Sequence, residues 1–212
     1  VKDLNLTMDE LNPDKLIFRV NKLNTNGLRA VVISGKSYLP EEPETAAEPL
    51  SLQLAAKELN LQNVYYNQQD TENKFYMDIN LGSLLAHPGE MDIPRQTINV
   101  NDFTLNNTNV RVIMGGRSAE LAEQVADTAI DTDPSPMAKW IVRARELNLN
   151  NIGFVLNNES ERRLPSGIDY AHLNITGLTL DADDVNYTTD TIEGNIAHLT
   201  ARDHSGLDIR EL

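Results

Sequence analysis

Leu54-Ala55-Ala56-Lys57-Glu58-Leu59-Asn60-Leu61 carries its apolar residues as a pair, a three-residue step and a second pair: Leu54 and Ala56, then Leu59 and Leu61. The spacing returns at Ile98, Val100, Phe103 and Leu105. It returns again at Val142, Ala144, Leu147 and Leu149, and at Leu173, Ile175, Leu178 and Leu180. The first three copies start 44 residues apart, and the fourth follows after 31. Residues 57–64 (KELNLQNV) and 145–152 (RELNLNNI) are nearly the same words. A repeat of this kind governs every later reading of the fold.

Within each pair the apolar residues alternate, the period of a strand with one buried face. The step of three changes parity, so a regular strand would send the second pair to the opposite face. A bulge adds one unpaired residue and keeps both pairs on one side. The step residues are Lys57-Glu58, Asn101-Asp102, Arg145-Glu146 and Thr176-Gly177, polar or small and suited to an exposed kink. A helix fits poorly, because residues two apart lie about 200° apart around its axis. The spacing therefore predicts a mainly β chain built from repeated bent strands, each with one apolar face.

The chain has 212 residues, a net charge of −14 and no cysteine. Its 18 lysines and arginines form no basic cluster, which argues against nucleic acid and anionic membrane surfaces as partners. Disulfides and thiolate metal sites are excluded. No apolar run approaches the roughly 18 residues of a membrane span. Two stretches punctuate the pattern. Residues 37–49 are rich in Pro, Glu and Ala. Residues 117–139 are acidic and Ala/Pro-rich, with a short helix expected over 118–130 from Leu121, Val125 and Ala129. Residues 37–50 and 117–139 together carry −7, half the net charge, so the acidity belongs to solvated linkers more than to a site. The organisation that follows is a partial repeat over 1–36, a repeat pair over 50–116 and a second pair over 140–212 that continues beyond the sequence. Turns are expected at Asn12-Pro13-Asp14, Asn24 to Gly27, Gln68 to Asn73, Asn106 to Asn109 and Ser205-Gly206. Ser83 to Pro94 reads as irregular.

Catalytic and metal signatures are missing. The four histidines (His87, His172, His198 and His204) have no metal spacing and read as surface or strand-edge residues. Asp181, Asp183 and Asp184 lack the following ligand and glycine of a calcium loop. Gly35-Lys36-Ser37 lacks the earlier glycine of a phosphate loop. No acid, base and nucleophile converge, so the chain reads as a non-enzyme with no cofactor and no metal. Its five Asn-x-Ser/Thr sequons follow from 23 asparagines.

Trp140 to Phe154, Gly167-Ile168-Asp169-Tyr170-Ala171-His172-Leu173, Asp190-Thr191-Ile192 and Ala201 to Leu207 together resemble the AsmA/TamB family in its Bacteroidetes form. Residues 140–212 carry the likeness best, and 50–116 more loosely. The resemblance implies an inner-membrane anchor upstream of Val1, a long periplasmic β body that forms an elongated, curved antiparallel sheet, a half-pipe or groove with an apolar trough, and a far end that meets the outer membrane. It further implies phospholipid carriage between the membranes, or assistance to outer-membrane protein insertion with a barrel partner bound outside these residues.

The leading expectation is a groove that shields phospholipid acyl chains, lined by the sixteen residues of the four copies quoted above. The same residues equally suit a closed core of sheet on sheet. A structural or adhesive β-repeat that binds protein partners through its strand edges is the alternative from a different class.

Overall fold

The computed structural model describes residues 1–12, 14, 17–35, 53–92, 96–115, 141–188 and 191–212. The helix expected over 118–130 lies outside them, as do nearly all of both linkers. Ten strands form one open sheet: β1 (Asp3–Asn12), β2 (Ile17–Asn26), β3 (Arg29–Ser34), β4 (Gln53–Asp70), β5 (Phe75–Asp92), β6 (Thr97–Met114), β7 (Ile141–Asn158), β8 (Asn174–Tyr187), β9 (Ile192–Asp203) and β10 (Asp208–Ile209). The order across the sheet is β1-β2-β4-β5-β6-β7-β8-β9-β10, with β3 continuing the line of β2 along β4. The sheet is curved, mostly antiparallel and not closed into a barrel. Each strand packs against the strands beside it, and no strand faces another across a second layer among the described residues.

Two junctions are parallel, which departs from the uniformly antiparallel expectation. β2 and β3 pair with β4, and β6 pairs with β7. Parallel neighbours need a connection of a dozen or more residues. The two Pro- and acid-rich stretches fall at these junctions. Between them β4, β5 and β6 run as an antiparallel meander, and β7, β8 and β9 form another. The repeat interval is itself a register: Thr97 pairs with Ile141 and Met114 with Asn158, each 44 residues on.

The fourth copy differs from its sisters. Leu173 to Leu180 enters β8, which runs antiparallel to β7, whereas the first three copies run the same way. The steps two, three, two read identically in both directions, so spacing alone does not carry strand direction.

The strands are bent twice. The lower bend falls at the step the spacing identified. Asn101 and Arg145 drop out of the β6–β7 ladder together, while the residues on either side keep register. Asn21 and Lys57 do the same between β2 and β4. On β5 the register shifts at Pro88, and on β8 Asp184 has a φ of 52°. The upper bend was read from the sequence as turns. Asn24 to Gly27 and Asn106 to Asn109 do not reverse the chain. They hold residues in the left-handed region inside continuous extended chain: Gly27 (φ 70°), Asn63 (53°), Asn107 (48°) and Asn151 (55°). By register Gly27 lies beside Asn63 and Asn107 beside Asn151, with Gly82 of β5 between the two pairs, and on β8 Gly177 (φ 60°) falls in the register shift opposite Ile152 and Phe154. Asn is the non-glycine residue best suited to this conformation. Asn63 Nδ2 donates to Asn26 Oδ1 at 2.9 Å, and Asn151 Nδ2 donates to Asn107 Oδ1 at 2.8 Å. The amides thus tie the bend across both parallel junctions.

β5 meets the upper bend at Gly82. A Cβ there would lie 2.7 Å from the backbone oxygens of both Asn106 and Asn107. Leu81, Leu84 and Ala86 show the same three-residue step, so Ser83 to Asp92 is strand and not the irregular segment expected. Proline is tolerated at Pro88 because it sits at a bulge.

Asn107→Val should lower stability by about 1–2 kcal/mol more than Asn107→Gly, since both lose the Asn151 bond and only valine resists the left-handed backbone. Gly82→Ala should cost about 1–3 kcal/mol through the backbone clash. Urea midpoints measure both. Equal losses for the valine and glycine variants would contradict the bend.

Candidate functional site

The two bends keep one face apolar from end to end. Between β6 and β7 each apolar residue of one copy sits beside its counterpart in the next, and Leu180 of the fourth copy sits beside Leu149. One row runs Leu61, Leu84, Leu105, Leu149, Leu180 and Leu199 across β4 to β9. A second runs Leu6, Leu23, Leu59, Ala86, Phe103, Leu147, Ala182 and Ile196 from β1 to β9. A third joins Val20 to Ala56, and farther across Pro88 to Val100, Ala144 and Val185. Ile98 and Val142 pair below it, and Leu178 and Ile175 pair above with Ile152 and Phe154. Leu54 is placed by its pairing with Phe18. Leu173 lies just before β8, its carbonyl accepting from Leu156 N–H at 2.9 Å. At about 4.8 Å between strands, the eight-strand row is about 34 Å long.

The sixteen lining residues expected from the sequence leave out Leu6, Leu23, Leu84, Ala86, Ile196 and Leu199 of these rows. The step at Gly82 was the available signal for Leu84 and Ala86.

The face carries no cover among the described residues. The buried apolar side chains are Ala56, Ala86, Ala144, Ala182 and Ile152. Four of these five are alanines, short enough to be shielded by taller neighbours in their own sheet. The large aliphatics of the rows remain half-buried, or exposed toward the edges, as with Leu6 at 49% and Ile196 at 50%. A closed two-layer core buries its large side chains and leaves its alanines unremarkable, so the sandwich arrangement is not what these strands build.

The opposite face is mostly polar, interrupted by Tyr65, Leu85 and Val155. Asn60, Asn106, Asn148 and Asn150 alternate with the apolar residues, and acids and bases pair near the first edge: Lys22 with Glu58 at 2.6 Å and Lys57 with Asp9 at 2.7 Å. His87 Nδ1 lies 2.6 Å from Asp102. Asp181, Asp183 and Asp184 are spread along β8, and no metal-ligating cluster forms among the described residues.

Residues 159–173 join β7 to β8 and contain the Gly-x-Asp-x-x-His-Leu stretch. Its role here is structural. The Asp169 carboxylate accepts from Leu164 N–H (2.9 Å), Ala171 N–H (3.2 Å) and His172 Nδ1 (2.9 Å), which places the ring proton on Nδ1. Gly167 takes a φ of 87°. The His172 side chain is 4% exposed, so it is an interior residue and not the surface histidine expected. At the next turn the Asp203 carboxylate accepts from Asn174 N–H and Ser205 N–H, both at 2.8 Å. The Leu164 N–H bond leads the causes that hold the Asp169 carboxyl below its usual range, with His172 and Ala171 adding to it. Burial works to raise Asp203, but hydrogen bonds from Ser205, Asn174 and His204 outweigh it and leave it lowered.

Comparison with protein-family models, with curated proteins and with solved structures finds no match.

Depressed carboxyl groups stabilise the fold above the ordinary carboxylate range and lose that contribution as pH falls through their folded-state values. Amide protection in 159–173 and 204–207, corrected for intrinsic exchange, should stay level from pH 7 to about 5 and fall below about 4. Asp169→Asn should flatten that fall in the first segment, and an unchanged acid profile in the variant would remove Asp169 as its origin.

Proposed function

We propose that this chain is a segment of a periplasmic, envelope-spanning protein whose apolar β surface shields lipid acyl chains moving between inner and outer membranes. In this reading the parent is anchored in the inner membrane, and an outer-membrane barrel protein is met through regions outside these residues. Support of outer-membrane protein assembly by the same surface belongs to the proposal. The observation that carries it is the set of uncovered aliphatic rows at right angles to the strands.

An apolar surface of this extent is costly in water unless something lies on it. Each methylene withdrawn from water contributes about 0.8 kcal/mol. A row of near-identical leucines offers similar sites at every strand, so a chain is held at each point yet gains little by staying at any one. The eight-strand row, about 34 Å long, exceeds the depth of one leaflet, half of a hydrocarbon core about 30 Å thick. A lipid tail therefore fits with room to advance. The polar face keeps the sheet in solution while the other face carries cargo.

A second reading rests on the edges. β1 and most of β9 lack an outer neighbour among the described residues, and Leu4 and Ile192 are 61% and 76% exposed there. Such edges suit strand addition by a protein partner, as in a structural or adhesive repeat.

Organic extraction of the purified chain, followed by mass spectrometry, should release phospholipid. Leu149→Asp with Leu180→Asp should cut the amount at least about fivefold, since a charge in the row is costly to bury. Asn150→Asp on the polar face should leave it unchanged. A lipid-free extract that also fails to take up a fluorescent acyl chain would sink the proposal in favour of the edge reading.

A further inference from the structure

A cavity of about 240 Å³ opens where residues 159–173 meet the β9–β10 turn. Leu156, Leu164 and Leu173 form its apolar wall, and Arg163, His204 and Ser205 are among its polar residues. The wall continues a row of the sheet: Met77 pairs with Val112, Val112 with Leu156, and Leu156 is bonded to Leu173. The cavity therefore joins the rim of the apolar face to a polar recess.

The chain carries a net charge of −14, but the lining of this recess holds one acid, Asp169, against one arginine, Arg163. That acid already accepts three hydrogen bonds. Arg163 donates through Nη2 to Asn157 Oδ1 at 3.1 Å and has no carboxylate partner among the described residues. A guanidinium fork with an imidazole lining the same cavity matches an oxyanion with several acceptor oxygens.

We propose that this cavity takes the phosphate group of a phosphate ester, with Arg163 and His204 as its donors. The lipid source of that phosphate rests on the acyl-chain reading above: the headgroup would sit wet at the rim while its tails lie on the rows. Free phosphate has the same chemistry, and the experiment separates the two.

Dioleoylphosphatidic acid and dioleoylglycerol, which differ only by the phosphate, are titrated separately in dodecyl maltoside micelles. Inorganic phosphate is titrated alone, followed by the amide resonances of Asn174 and Ser205. The intact chain should hold the phosphatidic acid about tenfold more tightly than the diacylglycerol. Arg163→Gln with His204→Gln should erase that preference without changing diacylglycerol binding, and Arg163→Lys should retain part of it. Amide shifts with inorganic phosphate as strong as those with the lipid would assign the pocket to free phosphate. Equal binding of both lipids, with no shift from inorganic phosphate, overturns the pocket and leaves the acyl reading intact. Loss of binding to both lipids, with the phosphate shifts present, overturns the acyl reading and keeps the pocket.

Discussion

Left-handed asparagines held at one height across neighbouring strands are the constraint on which the rest depends. An eighteen-residue strand alternates its side chains with period two, and any odd insertion sends the next residues to the wrong face. Asn63, Asn107 and Asn151 absorb such an insertion at the same level, and their amides bond across the parallel junctions. Because the irregularity is shared by adjacent strands, the ladder resumes in register on both sides of it. The apolar face survives two bends, and the sheet gains curvature without a second layer.

The bent strand and the one-sided apolar face were legible in the sequence because a step of three between alternating pairs has one simple explanation in a sheet. Strand direction was not legible: the two-three-two spacing is a palindrome, and it placed Leu173 to Leu180 among sisters that run the other way. The upper bend was misread for a related reason. Asn-Gly and Asn-Asn signal a turn because they accept positive φ, and a bulge makes the same demand. Only a partner strand with the same residue at the same height separates the two cases. Pro88 and Gly89 concealed the lower half of β5 because proline was weighed as a breaker and not as a bulge residue.

Of the candidate site, the sequence supplied the quartets but not their joining. Leu61 and Leu105 become one surface only through Leu84, which belongs to the strand that was half missed. The burial of His172 was invisible because it follows from the loop that Asp169, three residues before it, organises. In that loop a motif is conspicuous for backbone reasons: a carboxylate that gathers two amides and a ring nitrogen fixes the rim of the sheet beside the recess at Arg163.

The central claim is that the apolar face is bare in the protein alone and covered when an acyl chain lies on it. The absence of native cysteine makes this directly measurable. Single cysteines at Leu105, Leu149 and Leu180, with Asn150 as the polar-face reference, are reacted with a water-soluble maleimide before and after addition of oleate. The account predicts ready labelling at all four positions without lipid, and protection at the three row positions but not at Asn150 with it. Row cysteines that are already unreactive in the lipid-free chain, as in a closed two-layer core, would contradict it.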